Sequence, residues 1–226
     1  MKPLDGLTVL DLTRVLSGPY CTMLLGDLGA TVVKIEGPAG DETRAWMPPT
    51  HTGPHGDEAT YYLSINRNKR AVTLDLHDSA DRSAAQRLAE RADVVIENFK
   101  VGGLSKFGLD YKSLAPECPR LIYCSVTGFG QDGPYATRAG YDLMIQAMSG
   151  MMSITGNPDG APGGGPLRVG VALTDLFTGV YACSAILAAI EVRHRTGEGQ
   201  FIDMALPITE ALELHLKMDR NAANKR

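Results

Sequence analysis

The sequence predicts an α/β fold, a doubly wound, mostly parallel sheet with helices on both faces. Three observations predict it. Short β-rich runs flank a helix-patterned segment twice, over residues 7–36 and 71–97, and each strand–helix–strand unit implies a parallel pair. Residues 98–103 lie just past the carboxyl end of the 93–97 strand, where open α/β sheets bind ligands, and an apolar run at 120–126 reads as a further strand. A segment from 172 to 190 has almost no polar face and reads as a helix buried against the sheet. With 44% hydrophobic and 21% charged residues, the 226-residue chain has the material for a true core.

Each element follows from local chemistry. Leu7-Thr8-Val9-Leu10-Asp11-Leu12 has the pattern of a buried strand. Ser17, Gly18 and Pro19 signal a helix start, with Ser17 as N-cap and Pro19 in the first turn. That helix runs over 20–28 and ends at Gly29, and residues 31–36 form the next strand. The Gly-, Pro- and Thr-rich stretch 37–56 reads as a long functional loop holding Asp41, Glu42, Arg44 and Trp46, followed by a short apolar run at 61–65. Arg67, Lys69 and Arg70 form the densest basic patch. A solvated turn is the commoner meaning of such a patch, yet its place before a strand at 71–76 puts three cations at one sheet edge. Residues 78–92 form an amphipathic helix with Ala80, Ala84, Leu88 and Ala92 on one face, and 93–97 is a strand. Short helices follow at 104–107 and 111–114, then a strand at 120–126 and a methionine-rich helix at 139–152. Residues 200–206 make the last strand. After Pro207 an amphipathic helix is expected on Ile208, Leu212 and Leu216, with a polar tail at 218–226. The organisation expected is one α/β unit over 1–217 and that tail.

Composition excludes several classes. A net charge of −4 and a pI near 5.7 give no general affinity for nucleic acid or anionic membranes. Cys21, Cys118, Cys124 and Cys183 form no C-x-x-C pair and read as free thiols of a reducing compartment. The five histidines show no ligand spacing, so no metal is expected. Gly128-Phe129-Gly130-Gln131-Asp132-Gly133 matches the dinucleotide spacing and follows a strand. Pro134 comes directly after it, no apolar helix opens, and no acid lies at the required distance, so NAD binding is rejected. No apolar h-region follows Lys2, and the run 180–190 is too short and interrupted for a membrane span. The expectation is a soluble cytoplasmic protein, with a mitochondrial origin after leader removal as the alternative.

Asp175 is the one acid between Asp159 and Glu191, near the start of the apolar helix. Free N–H groups and the helix dipole favour an anion there. Two readings stand side by side: a cap for the helix, or a partly desolvated carboxylate acting as a nucleophile.

A resemblance bears on that choice. Leu10-Asp11-Leu12-Thr13-Arg14-Val15-Leu16-Ser17-Gly18-Pro19, Gly26-Asp27-Leu28-Gly29-Ala30, Val33-Lys34-Ile35-Glu36, Asn66-Arg67-Asn68-Lys69-Arg70, Glu97-Asn98-Phe99, Ser125-Val126-Thr127-Gly128-Phe129-Gly130, Arg138-Ala139-Gly140-Tyr141-Asp142 and Arg168 to Gly179 occur in order. Together they resemble the N-terminal part of a class III CoA-transferase. The resemblance implies a Rossmann-like large domain, coenzyme A as acyl-CoA substrate, a carboxylate acceptor and an interlocked homodimer. It implies Asp175 as the covalent nucleophile, with Leu16 and Ser17 along the CoA path and Leu74, Asp75, Leu76 and His77 near the adenine. Asn98, Phe99 and Lys100 would meet CoA at a strand end, Lys106 would give a point-charge phosphate contact, and Arg138, Ala139, Gly140 and Tyr141 would lie near the thioester. Gly37 stands where some members have an arginine. Related racemases carry a histidine base where this chain has Tyr141, and a tyrosine of ordinary pKa is a poor base at neutral pH, so transfer is favoured over 2-methylacyl-CoA racemisation. Dicarboxylic acyl groups are the expected substrates. Members continue into a small domain and a returning C-terminal segment that are absent from this sequence, which sets a truncated, non-catalytic CoA-binding fragment beside the transferase.

Overall fold

A computed structural model describes residues 1–54 and 56–206. Its elements run β1 (Thr8–Asp11), α1 (Ser17–Asp27), β2 (Thr31–Glu36), β3 (Thr50–Gly53), β4 (Gly56–Ala59), α2 (Thr60–Asn66), β5 (Lys69–Thr73), α3 (Ser79–Glu90), β6 (Val94–Glu97), α4 (Tyr111–Leu114), β7 (Ile122–Thr127), α5 (Asp142–Met148), α6 (Met151–Ile154), α7 (Leu173–Thr196) and β8 (Phe201–Ala205), with 3-10 turns at Glu42–Ala45 and Ser105–Phe107.

Period-two alternation along the strands builds a core on each face of one sheet. Val9, Val94, Ile96, Ile122 and Cys124 pack on one side with residues of α1 and α7, including Cys21, Leu25, Ala182 and Ile186. Their neighbours Leu10, Val95 and Tyr123 point the other way, toward Ala85 and Ala89 of α3 and Leu114 of α4. Six strands lie in the order β5-β2-β1-β6-β7-β8, and every pairing in that sheet is parallel. This is the doubly wound architecture that the sequence predicts.

α1 and α7 pack tightly along that first face. A Cβ on Gly179 would lie 2.7 Å from the Ser17 carbonyl oxygen, so only glycine permits this approach. By length and composition α7, at mean hydropathy 1.6, could cross a membrane. Here it is a core helix, with Ala182, Cys183, Ile186, Ala189 and Ile190 buried.

Several elements differ from expectation. Ser17 is not the N-cap of α1 but its first residue, and the capping position is Leu16, which offers no side-chain acceptor. The helix expected over 139–152 is two short helices, because Gly150 takes φ +86° between them. The stretch 37–56 is not all loop: it holds a 3-10 turn and β3, whose antiparallel partner is β4. The run 61–65 is helical within α2. Lys69 is not in a solvated turn; it opens β5 and its side chain is buried. α7 extends to Thr196, past the expected end at 190. The helix after Pro207 and the polar tail lie outside the described residues.

Candidate active site

The strand order reverses between β1 and β6. From β1 the chain winds outward to β2 and β5, and from β6 to β7 and β8, so the loops at their carboxyl ends part and leave a crevice. Asn98, just after β6, ties the two sides together. Its Oδ1 accepts the Arg14 N–H at 3.1 Å and its Nδ2 donates to the Arg14 carbonyl at 2.7 Å. Next along, Val15 is held at φ +70°, which costs a β-branched residue about 1–3 kcal/mol. That turn swings the chain from β1 into α1 and brings Leu16 and Ser17 to the crevice wall.

Asp175 faces the same crevice from the first turn of α7. It does not cap its helix: the Thr174 N–H donates instead to Asp142 Oδ1 of α5 at 2.8 Å. The Ser17 hydroxyl lies by the Asp175 carboxyl and favours its charged form. Burial, then the negative charge of Asp142, push its pKa up to about 7, and the Ser17 bond opposes them. Tyr61 of α2 faces this acidic pair; burial, then Asp175 and Asp142, push its hydroxyl up to about 12.

The crevice has two chambers that share Arg14 and Phe99 as a common wall. The first brings Leu16, Ser17, Asn98, Phe99 and Lys100 together with Arg138, Ala139, Gly140, Tyr141 and Asp175. The second is lined by Leu74, Asp75, Leu76 and His77, with His77 edge-on to Phe107 at 5.2 Å. Gly37 also lines it, and nothing lies within 4 Å of where its side chain would point. Lys106 lines neither chamber; its ammonium sits 4.7 Å from the Phe107 ring centroid. A Cβ on Gly128 would meet Gly140 Cα at 2.4 Å, so the first glycine of the G-x-G-x-x-G spacing serves a close chain crossing beside Tyr141. No group of three or more His, Cys, Asp or Glu side chains with metal-holding geometry occurs among the described residues.

Buried polar groups anchor these loops. Glu97 accepts the Phe99 N–H at 2.7 Å and the Ser125 hydroxyl, and Gln131 Nε2 donates to that hydroxyl at 2.9 Å. Burial pushes Glu97 up to about 7 against those bonds. Lys34 Nζ donates to the Thr13 carbonyl at 2.7 Å. The same ammonium lies 3.0 Å from Asp41 Oδ2, near enough for charge pairing but not aligned as a hydrogen bond.

A family model described as CoA-transferase family III matches residues 4–218. The chain belongs to that family. Among curated relatives of this family III chain, a succinate–glutarate CoA-transferase of Agrobacterium fabrum is 54% identical over 207 residues, 90% of this chain and 51% of that one. A human succinyl-CoA:glutarate CoA-transferase is 50% identical over 207 residues, 91% of this chain and 45% of that one. The crystal structure of a CaiB/BaiF family protein from Brucella suis superposes with a TM-score of 0.93 at 49% identity, covering all of this chain and 58% of that one. The chain thus spans about half the length of the curated relatives it matches.

Reading the family III sequence alone misses Asp142, Glu97, Arg14 and Tyr61. The first three lie inside the matching stretches, Asp142 and Glu97 next to residues that the resemblance singles out and Arg14 two residues before Leu16. Their roles depend on which way a side chain turns at a strand or helix end, and residue spacing does not encode that.

Proposed function

We propose that this chain belongs to an enzyme that moves CoA from an acyl-CoA thioester to a carboxylic acid through covalent attachment to Asp175. One observation carries the reading: another residue caps α7, and the Asp175 carboxyl is left to open on the crevice. In the first step an Asp175 oxygen attacks the thioester carbonyl carbon. The carbon–sulfur bond breaks and its electron pair leaves on the CoA sulfur, giving a mixed anhydride. The thiolate then attacks the aspartyl carbonyl and expels the donor carboxylate, leaving an aspartyl-CoA thioester. An acceptor carboxylate reverses the sequence. Remote binding of the nucleotide end orients the thioester. Arg14, Lys100 and Arg138 offer positive charge to its phosphates, and the His77–Phe107 pair offers a ring surface to its base. On this reading Leu74, Asp75 and Leu76 wall the adenine end and Tyr141 stands by the thioester. The relatives named for succinate, glutarate and succinyl-CoA support dicarboxylic acyl groups.

Trapping tests this. Incubation with succinyl-CoA followed by hydroxylamine and peptide mass analysis should mark Asp175, and Asp175→Asn should lower the label at least a thousandfold, to background. An unmarked Asp175 in folded protein overturns the reading. The chain's half-length relative to its relatives supports a second one, a CoA-binding piece without turnover, which predicts CoA binding with no label. Exposed Leu143, Met148, Val171 and Tyr181 on α5, α7 and the segment between support a homodimer, which sedimentation would report. Four free thiols support a reducing, cytoplasmic setting.

A further inference from the structure

α7 starts without a cap of its own, since Ala172 supplies no side-chain acceptor. Asp142 supplies one from a different helix. Its Oδ1 accepts the Thr174 N–H at 2.8 Å and its Oδ2 accepts Gln146 Nε2 at 2.7 Å. Gln146 is fully buried, and its Oε1 accepts the Val169 N–H at 2.9 Å. The Asp142–Gln146 pair therefore grips both the strand of chain entering α7 and the helix's first turn. One N–H donor reaches each Asp142 oxygen, and Asp142 also lies in the first turn of α5. The groups acting on Asp175 are Asp142 from α5 and Ser17 from α1, with the Tyr61 hydroxyl of α2 close by; no cation is among them. Glu42 and Arg138 line the same chamber.

We propose that Asp142 is the positioning residue of the nucleophile: it holds the Thr174 N–H in the first turn of α7 and, as a carboxylate next to Asp175, favours every state in which Asp175 carries no charge. The second half rests on the acyl-carrier reading above. When an Asp175 oxygen bonds to the acyl carbon and the electron pair leaves with sulfur, negative charge moves from the carboxylate to the thiolate. The repulsion between the two aspartates then disappears. It returns only when the aspartyl anhydride or thioester gives way to the free carboxylate, so Asp142 tilts the balance toward the covalent intermediates. The same repulsion makes the free carboxylate more basic and a stronger nucleophile.

Asp142→Asn tests this in the 226-residue chain, because it keeps an acceptor for the Thr174 N–H and removes the charge. Carbon-13 NMR of the Asp175 carboxyl should show its titration midpoint falling by about 1 pH unit in the variant. The succinyl-CoA-derived thioester trapped at equilibrium should fall about tenfold, with the shift seen in the pH profile of trapping and not only in yield. Asp142→Glu, which restores the charge, should bring the midpoint back to within about half a unit of wild type. An unmoved midpoint in Asp142→Asn overturns the proposal. If Asp142→Asn does not fold, a midpoint in Asp142→Glu that drops by the full unit overturns it instead. If Asp175 is not an acyl carrier, the wild-type chain yields no thioester, whereas the NMR arm still decides the electrostatic half.

Discussion

Two enclosed carboxylates flank the approach to α1 and behave in opposite ways. Asp11, at the end of β1, is fully buried and lies 3.1 Å from Lys69 Nζ. The Thr13 and Thr22 hydroxyls donate to it at 2.5 and 2.6 Å. Burial pushes its carboxyl up, but Lys69 and Lys34 with the two threonines outweigh that and hold it at about 2. Asp175 has burial and a neighbouring aspartate acting in the same direction, with the Ser17 bond opposing them, and it rises to about 7. Depth is therefore not what separates the lowered carboxyl from the raised one in this molecule. The sign of the nearest charge separates them: Lys69 reaches from β5 to one, and Asp142 from α5 to the other.

The largest effect on stability is expected at the paired site. Lys69→Met leaves Asp11 without its closest cation, a loss of about 3–5 kcal/mol for a broken buried pair. Asp11 contributes stability above its unfolded value of 3.8 and loses it as pH falls through about 2. Urea unfolding should therefore show the widest gap between variant and wild type near neutral pH and a narrowing gap below pH 3.8. A gap that stays constant down to pH 2 would break the contrast between the two acids.

At the other site the sign inverts. The folded chain keeps a proton on Asp175 up to about pH 7, while the unfolded chain releases it near 3.8. Wild-type stability on this account is present below 3.8 and declines as pH rises to about 7, a loss that an uncharged side chain avoids. Asp175→Asn should therefore be more stable than wild type at pH 8 by on the order of 2 kcal/mol, and the advantage should vanish near pH 4. Equal urea midpoints at both pH values would mean that Asp175 is ordinarily solvated.

The smallest effect is expected at Ser17. Without its hydroxyl, Asp175 loses a bond to its charged form, so Ser17→Ala should raise the midpoint of the trapping–pH profile by about half a unit. An unchanged profile would reduce Ser17 to a packing role.

Much of this was readable in the residues. β2 has the predicted bounds, and the alternation of Val9 with Leu10 and of Val94 with Val95 marks a strand buried on both faces. Leu16, Ser17, Asn98, Phe99, Lys100 and Arg138 to Tyr141, which the motifs point to, share one chamber with Asp175. What escaped is governed by long-range contact. Nothing local in Asn66 to Arg70 says that Lys69 turns inward to Asp11 while Arg67 stays outside on Asp27. Nothing near Asp175 says that its helix is capped from residue 142. Position in a motif likewise does not say that the Lys106 ammonium lies over the Phe107 ring.

Gly179 constrains any redesign. Because α7 rests on the backbone of α1 at that point, a side chain there would wedge the helices apart and carry the Asp175 oxygens off the Ser17 hydroxyl. Asp175 is thus tied, through α7, to a close helix–helix joint. Changes meant to reshape the crevice should leave α1, α7 and the Gly128–Gly140 crossing alone and begin with the segment 37–49, which follows β2 and lies outside that joint.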